Sequence, residues 1–194
     1  MSKVLSTCTA CGAQKENEVF QSINAAENPE LKARLVSGDL FTWECPQCGK
    51  TNLMRYPLLY HDPQERLMLV LSDAPLAAEN LPEGYTGRQV RTPGELIEKV
   101  KIFDSGLDDI VIELCKWVSC RELNIDAEMR FLQLGGADQQ MTFTYPQSGG
   151  MQLVQVGFNV YEDCRGILSR NPRLSAGTSG LATVNASWLG QFFG

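Results

Sequence analysis

The chain reads as an α+β protein: an N-terminal zinc-ribbon-like β module with an inserted helix, a central helical pair, and a C-terminal antiparallel sheet with a terminal helix. Three observations predict this. Two copies of C-x-x-C-G, at Cys8–Cys11 and Cys45–Cys48, are flanked by strand-like runs. Two helix-start signals follow one another between positions 92 and 109. From Asp126 onward the chain alternates short apolar-polar runs with glycine-rich turns. The organisation that follows is a zinc-ribbon-like module over 1–72, a linker or long surface loop over 73–91, a helical pair over 92–124, and a sheet with helices over 125–194.

Each element has a local reason. VFQSINA, after the first cysteine pair, reads as a strand. Asn28 offers an N-cap, Pro29 suits the first helical position, Leu31 and Leu35 share a face, and Gly38 stands where a left-handed closing residue belongs, so 29–36 is predicted as a short helix. LFTWE leads into the second pair as a strand. TNLMRYPLLY leads out as another, and its Pro57 cannot donate to a ladder, which predicts an edge or a bulge there. ERLMLVL adds a strand. Pro75, Pro82, Gly84 and Gly87 interrupt 73–91 without periodicity.

Thr92-Pro93-Gly94-Glu95 combines an N-cap, a proline at the first position and a capping-box glutamate, with Leu96, Ile97, Val100 and Phe103 as the apolar face. Ser105 and Asp108 repeat the capping pattern, and Asp108 and Asp109 suit the positive end of the next helix. Leu107, Ile110, Val111, Leu114, Cys115 and Val118 form a stripe that Ile112 and Trp117 widen, so this helix is expected to be mostly buried. EMRFLQL, QQMTFTY and MQLVQVGF, separated by GGAD and PQSGG, predict a three-stranded antiparallel meander. NVYEDCRGILSR reads as a helix, RLSAGTSG as a loop, and LATVNASWLGQFF as a closing helix.

Formal net charge is −6 and the isoelectric point is near 4.9. No Lys/Arg cluster offsets this, which argues against nucleic acid as a partner. No apolar run has the ~20 residues needed to span a bilayer, and the opening MSKVLSTCTACG lacks the apolar stretch of a signal peptide. Seven cysteines are an odd number, and Cys115, Cys120 and Cys164 lie outside any motif. A reducing cytoplasm with metal-bound thiolates is the expectation, with no membrane association.

The paired motifs carry the chemistry. A turn two residues long aims both of its sulfurs at one ion while its amides donate to them, and Gly12 and Gly49 permit the bend. Two such knuckles at Cys8, Cys11, Cys45 and Cys48 close an all-thiolate tetrahedron. Zinc is the expected metal; rubredoxin-like iron sites use the same knuckles, so iron is the alternative and an electron carrier the corresponding function. A thioredoxin-like redox pair is a further reading because Trp43 closely precedes Cys45, but such a pair opens a helix and the run after Cys48 is strand-like.

With CTACG, CPQCG, the YPLLYHD stretch at 56–62 and IFDSGLDDIVIEL at 102–114, the chain resembles the CpXC family of bacterial and archaeal proteins. The resemblance covers about the first two-thirds of the chain. It implies a zinc-ribbon-like module joined to a small helical segment, and it implies no reaction. The first knuckle departs from the family pattern in being CTAC rather than CPxC, which loosens that turn without removing a ligand.

Beyond the metal ligands no catalytic set emerges. His61, the only histidine, sits between Tyr60 and Asp62, and a histidine beside a carboxylate can serve as a general base. No nucleophile is paired with it, so the plainer expectation is a strand-end residue satisfying a backbone group. Asp104, Asp108 and Asp109 suit a cation, but capping explains them with less. Cys115 and Cys120, ~140° apart around a helix, do not face one ion. Tyr60, His61 and Asp62 at a strand end, facing Asp108 and Asp109 across one groove, form the candidate interaction surface. The leading expectation is a non-enzymatic binding or adaptor protein with a structural four-cysteine zinc site and a protein partner; an enzyme built on His61 and Asp62 is the alternative. The sequence sets no oligomeric state.

Overall fold

A computed structural model of the chain describes residues 2–74, 81–136 and 139–193. It is a mixed α+β protein, and it divides into two compact units, Met1–Ile97 and Glu98–Gly194. Among the described residues no helix is long and apolar enough to cross a membrane.

The first unit opens with β1 (Ser2–Thr7), which pairs antiparallel with β2 (Gln14–Val19). The first knuckle is the turn between them. β3 (Ser22–Asn24) follows, then α1 (Pro29–Ser37) and a single 3-10 turn at Asp39–Phe41. β4 (Thr42–Glu44) and β5 (Thr51–Leu53) form a second antiparallel hairpin around the second knuckle. β6 (Leu58–Asp62), β7 (Leu67–Leu71) and β8 (Thr86–Val90) complete a mixed sheet in the order β8-β7-β6-β3. β6 and β7 are antiparallel, while β3 on β6 and β8 on β7 are parallel. Leu58, Tyr60, Leu67, Leu69 and Leu71 point alternately into the core of this sheet and are fully buried.

Several expectations change here. The strand expected at VFQSINA is two: β2 belongs to the knuckle hairpin and β3 to the larger sheet, with Phe20 and Gln21 between them. Likewise TNLMRYPLLY is not one edge strand. Pro57 has no N–H to give, and the run breaks before it into β5 and β6. In the gap, Met54 N–H donates to Phe41 C=O (2.8 Å) and the Tyr56 hydroxyl to Leu40 C=O (3.1 Å). LFTWE begins as a 3-10 turn, and β1 had no counterpart in the sequence reading. The segment 73–91 contains β8; residues 75–80 lie outside the described residues. α1 starts and ends as expected, with Gly38 at φ 89° closing it on Leu35 C=O, but the Asn28 side chain makes no cap bond.

The division between the units falls inside α2 (Pro93–Asp104). At its start Glu95 N–H donates to Thr92 Oγ1 (3.2 Å), and Glu95 Oε2 accepts from Arg91 N–H (2.7 Å). α3 (Asp109–Glu122) is capped by Asp108, whose Oδ1 accepts from Ile110 and Val111 N–H. Ser105 instead donates to Lys101 C=O at the end of α2, so the second capping signal lies at Asp108 alone. β9 (Arg130–Gly135), β10 (Gln140–Gln147) and β11 (Gly150–Val156) form the expected antiparallel meander, with a register shift between Thr142 and Phe143. α4 (Phe158–Arg170) matches its expectation. The expected loop after it contains α5 (Pro172–Ala176), and the closing helix is shorter than expected: β12 (Leu181–Ala182), then α6 (Ala186–Phe193). α3 is the centre of this unit's core, where Ile110, Val111 and Leu114 join Phe131, Phe143 and Leu189.

α3 also carries charge into that core. Lys99 Nζ lies 2.7 Å from Asp109 Oδ2, and Lys116 Nζ lies 3.0 Å from Glu98 Oε1 and 2.7 Å from Glu113 Oε1; all five side chains are buried. Glu98 also accepts from the backbone N–H of Phe131 (2.8 Å) and pairs with Arg130, which fixes β9 to the helices. Burial pushes the Glu113 carboxyl up, and its Oε2 has no hydrogen-bond partner. For Lys116 burial works the other way, but the charges of Glu98 and Glu113 outweigh it and hold the ammonium protonated. Removing one cation from such a set leaves carboxylates buried without compensation. Lys116→Met is therefore expected to destabilise the protein by about 3 kcal/mol in chemical denaturation, while an exposed control, Lys3→Met, stays within about 0.5 kcal/mol of the parent.

Candidate metal centre

Both knuckles are built alike. In the first, Cys8 N–H donates to Ala13 C=O (2.8 Å) and Gly12 N–H to Cys8 C=O (3.0 Å). In the second, Cys45 N–H donates to Lys50 C=O (2.9 Å) and Gly49 N–H to Cys45 C=O (2.9 Å). Gly12 and Gly49 have φ of 75° and 69°, the left-handed region that a side chain would strain. That repeated geometry is why glycine follows the second cysteine of each pair.

The β1–β2 and β4–β5 hairpins bring the two turns together. Cys8 Sγ lies 3.6 Å from Cys48 Sγ, Cys11 Sγ lies 3.6 Å from Cys45 Sγ, and all four sulfurs lie within 4.8 Å of one another. A tetrahedral ion with metal–sulfur bonds of about 2.3 Å sets an edge of roughly 3.8 Å between sulfurs. The observed contacts run between knuckles and fit that figure, so the four cysteines can hold a metal ion. Cys8 and Cys45 are buried against Trp43, with Ala13 and Met54 beside them; Cys11 and Cys48 are exposed. Trp43 is thus a wall of this cluster, and Cys48 is followed by a strand rather than the helix of a redox pair.

The electrostatics match a shared site. The Cys8 thiol is drawn down to about 6, first by the Ala10 backbone N–H that donates to its sulfur at 3.5 Å, against the opposing effect of burial. Cys45 is also lowered: burial opposes the change, and the backbone amides of Cys48 and Gln47 overcome it. Cys11 is pushed up to about 12; the Ala13 amide pulls the other way, and burial with the neighbouring sulfurs wins. Negative charge already placed on one sulfur keeps the proton on the next, and a bound dication relieves that repulsion.

One contributor had escaped the sequence reading. Asn52 is 4% exposed. Its Nδ2 donates to Cys8 Sγ (3.5 Å) and Lys50 C=O (2.9 Å), while its Oδ1 accepts from the Thr9 N–H (3.0 Å) and hydroxyl (3.1 Å). It ties one knuckle to the other and donates to one of the four clustered sulfurs. The available signal was a polar residue at the inward position of β5, between exposed Thr51 and Leu53.

Of the residues in the candidate interaction surface, only Asp108 is exposed and His61 half-buried. Tyr60, Asp62 and Asp109 are buried. The Asp62 carboxylate accepts from Lys32 Nζ (3.1 Å), the Tyr60 hydroxyl (3.2 Å) and the N–H groups of Gln64 and Glu65. Burial alone would raise its pKa, but these partners, led by Lys32, hold it below the usual carboxylate range. His61 is half-buried; its Nε2 meets the Tyr85 hydroxyl at 3.2 Å and its C=O accepts from Ala25 N–H (2.8 Å). Asp108 is exposed and spent on capping α3, and Asp109 is paired with Lys99. A groove of about 450 Å³ in the first unit is lined by Val4, Val19, Tyr56, Leu59, Val70 and their neighbours, and neither His61 nor Asp62 lines it. Outside the cluster, Cys115 and Cys164 are buried; the hydrogen bond with Cys164, then burial, pushes the Cys115 thiol well up. Cys120 donates to Ala127 C=O (3.7 Å).

Comparison with known proteins places the chain in a family. The family model described as CpXC protein covers residues 6–116, a span that includes all four clustered cysteines. No curated protein and no solved structure matches the chain.

Asn52 generates the test of this geometry. Outer groups that donate to metal ligands typically carry 10–100-fold in affinity. Asn52→Ala is expected to weaken metal binding by roughly that factor in a chelator competition, with all four ligands still engaged. An unchanged affinity would show that the amide serves only the backbone.

Proposed function

The chain belongs to the CpXC family, and from that premise we propose that it is a zinc protein whose four-cysteine site is structural and whose role is that of a non-enzymatic binding or adaptor protein. The observation that carries this reading is closure of the site. Four sulfurs within 4.8 Å of one another use every position of a tetrahedron and leave none for water or substrate. Such a site contributes folding free energy, on the order of 10 kcal/mol or more, rather than chemistry. Thiolate softness does not by itself separate zinc from iron; a structural role in a closed site favours the ion without redox chemistry.

A protein partner fits the surface of the module better than a charged polymer does. Leu53 is 83% exposed, and Leu5 and Val4 are also exposed, on the strands that carry the knuckles. The net charge of −6 gives a phosphate backbone little to bind. His61 and Asp62, the alternative catalytic pair, are occupied by Tyr85 and Lys32.

Protein purified from its native host is expected to carry about one zinc per chain and to be colourless. A thiolate-to-iron charge-transfer band would instead make it an electron carrier. Cys45→Ser is expected to lose the metal and to open the first unit to protease at sites the parent protects; a variant with parental metal content and melting temperature would overturn the four-ligand assignment. In capture from cytoplasmic extract, the zinc-loaded chain is expected to retain a protein that the Cys45→Ser chain does not.

A further inference from the structure

Strand β11 is one edge of the second unit's three-stranded sheet, and among the described residues no strand pairs with its outer side. Sheet edges are ordinarily protected by lysine, proline, bulges or short length, because their free N–H and C=O groups template pairing with another chain. β11 has none of these. Its seven residues, GMQLVQV, include no charge and no proline, and its register with β10 is unbroken from Met141↔Val156 to Gln147↔Gly150. Met151 and Leu153 are 62% and 65% exposed. The other edge of the same sheet, β9, begins on Arg130, and the β1–β2 hairpin carries the exposed Lys3–Glu16 ion pair.

We propose that β11 is a homodimer interface, at which a second copy of this chain pairs its own β11 antiparallel across a two-fold axis at Leu153. The register supports that occupant. Pro146 of β10 stands opposite Met151 and has no N–H to give, so the bonded pairs with β10 fall at Gly150, Gln152 and Val154. Alternation then directs the N–H and C=O groups of Met151, Leu153 and Gln155 toward the open edge. With Leu153 on the axis, Leu153 faces its own copy and Met151 faces Gln155, so every outward group of these three residues finds a partner. Their side chains meet on the face that is exposed in the single chain. An edge that meets itself also has to be uncharged at its axial position, since a charge there would face its like. β11 meets that condition with Leu153. A single strand pair buries less than a standard interface of about 1,200–2,000 Å², so the dimer is in exchange with monomer.

Sedimentation of the metal-loaded full chain tests this. The parent is expected to move from monomer toward dimer as concentration rises through the micromolar range. Leu153→Lys and Leu153→Glu are each expected to stay monomeric over that range, with parental far-UV dichroism and melting, because the side chain is exposed. An equimolar mixture of the two is expected to restore the dimer. Should either Leu153 variant misfold, the double variants Met151→Lys with Gln155→Lys and Met151→Glu with Gln155→Glu serve in its place, because positions 151 and 155 face one another and both are exposed. A parent chain that is monomeric at every concentration, a dimer that survives either charge, or a mixture that fails to reassociate would each overturn the proposal.

Discussion

Four thiols brought within 4.8 Å of one another set the terms for the first unit. They cannot all ionise alone: where Cys8 is drawn down to about 6, Cys11 is driven up to about 12. A dication turns that repulsion into attraction, and the hairpins place the sulfurs at the corners of one tetrahedron. The rest of the module follows from holding two turns in register. Each knuckle ends on a left-handed glycine, each is the turn of an antiparallel hairpin, and Asn52 bonds across from β5 to Thr9 and Cys8. The chain between Cys11 and Cys45 leaves the hairpin to form β3 and α1, then returns as β4.

The second unit is held by a different balance. Its core is apolar around α3, yet Glu98, Lys99, Asp109, Glu113 and Lys116 are buried as a set. Carboxylates and ammonium groups taken out of water cost several kcal/mol each unless they are matched. Here Lys99 serves Asp109, Lys116 is shared by Glu98 and Glu113, and Glu98 adds a backbone N–H from β9 and Arg130. Such a set favours one alignment of helix and strand, because any shift strands a charge.

Much of this was legible in the residues. The knuckles, α1, the starts of α2 and the meander each rest on local chemistry: a cysteine pair with its glycine, Gly38 as a left-handed stop, Thr92 with Glu95, turns rich in glycine. What misled was equally physical. Asp109 read as a helix-start charge because its partner Lys99 lies on a different helix. Tyr60 and Asp62 read as a surface at a strand end, but Lys32, thirty positions earlier by number, folds back to satisfy Asp62 and buries it. TNLMRYPLLY read as one strand because its apolar pattern is continuous, although β5 and β6 belong to different sheets.

The sequence alone pointed to the four clustered cysteines, the α+β class, the CpXC relationship and the caps at Gly38, Thr92 and Asp108, since each is carried by short local patterns of residues. Only the tertiary structure decided which strands share a sheet, that Asn52 donates to Cys8, that the charges of α3 are internal, and that β11 is an unprotected edge. Those outcomes depend on contacts between distant segments, where a side chain's role is set by what the fold places beside it rather than by its neighbours in the chain.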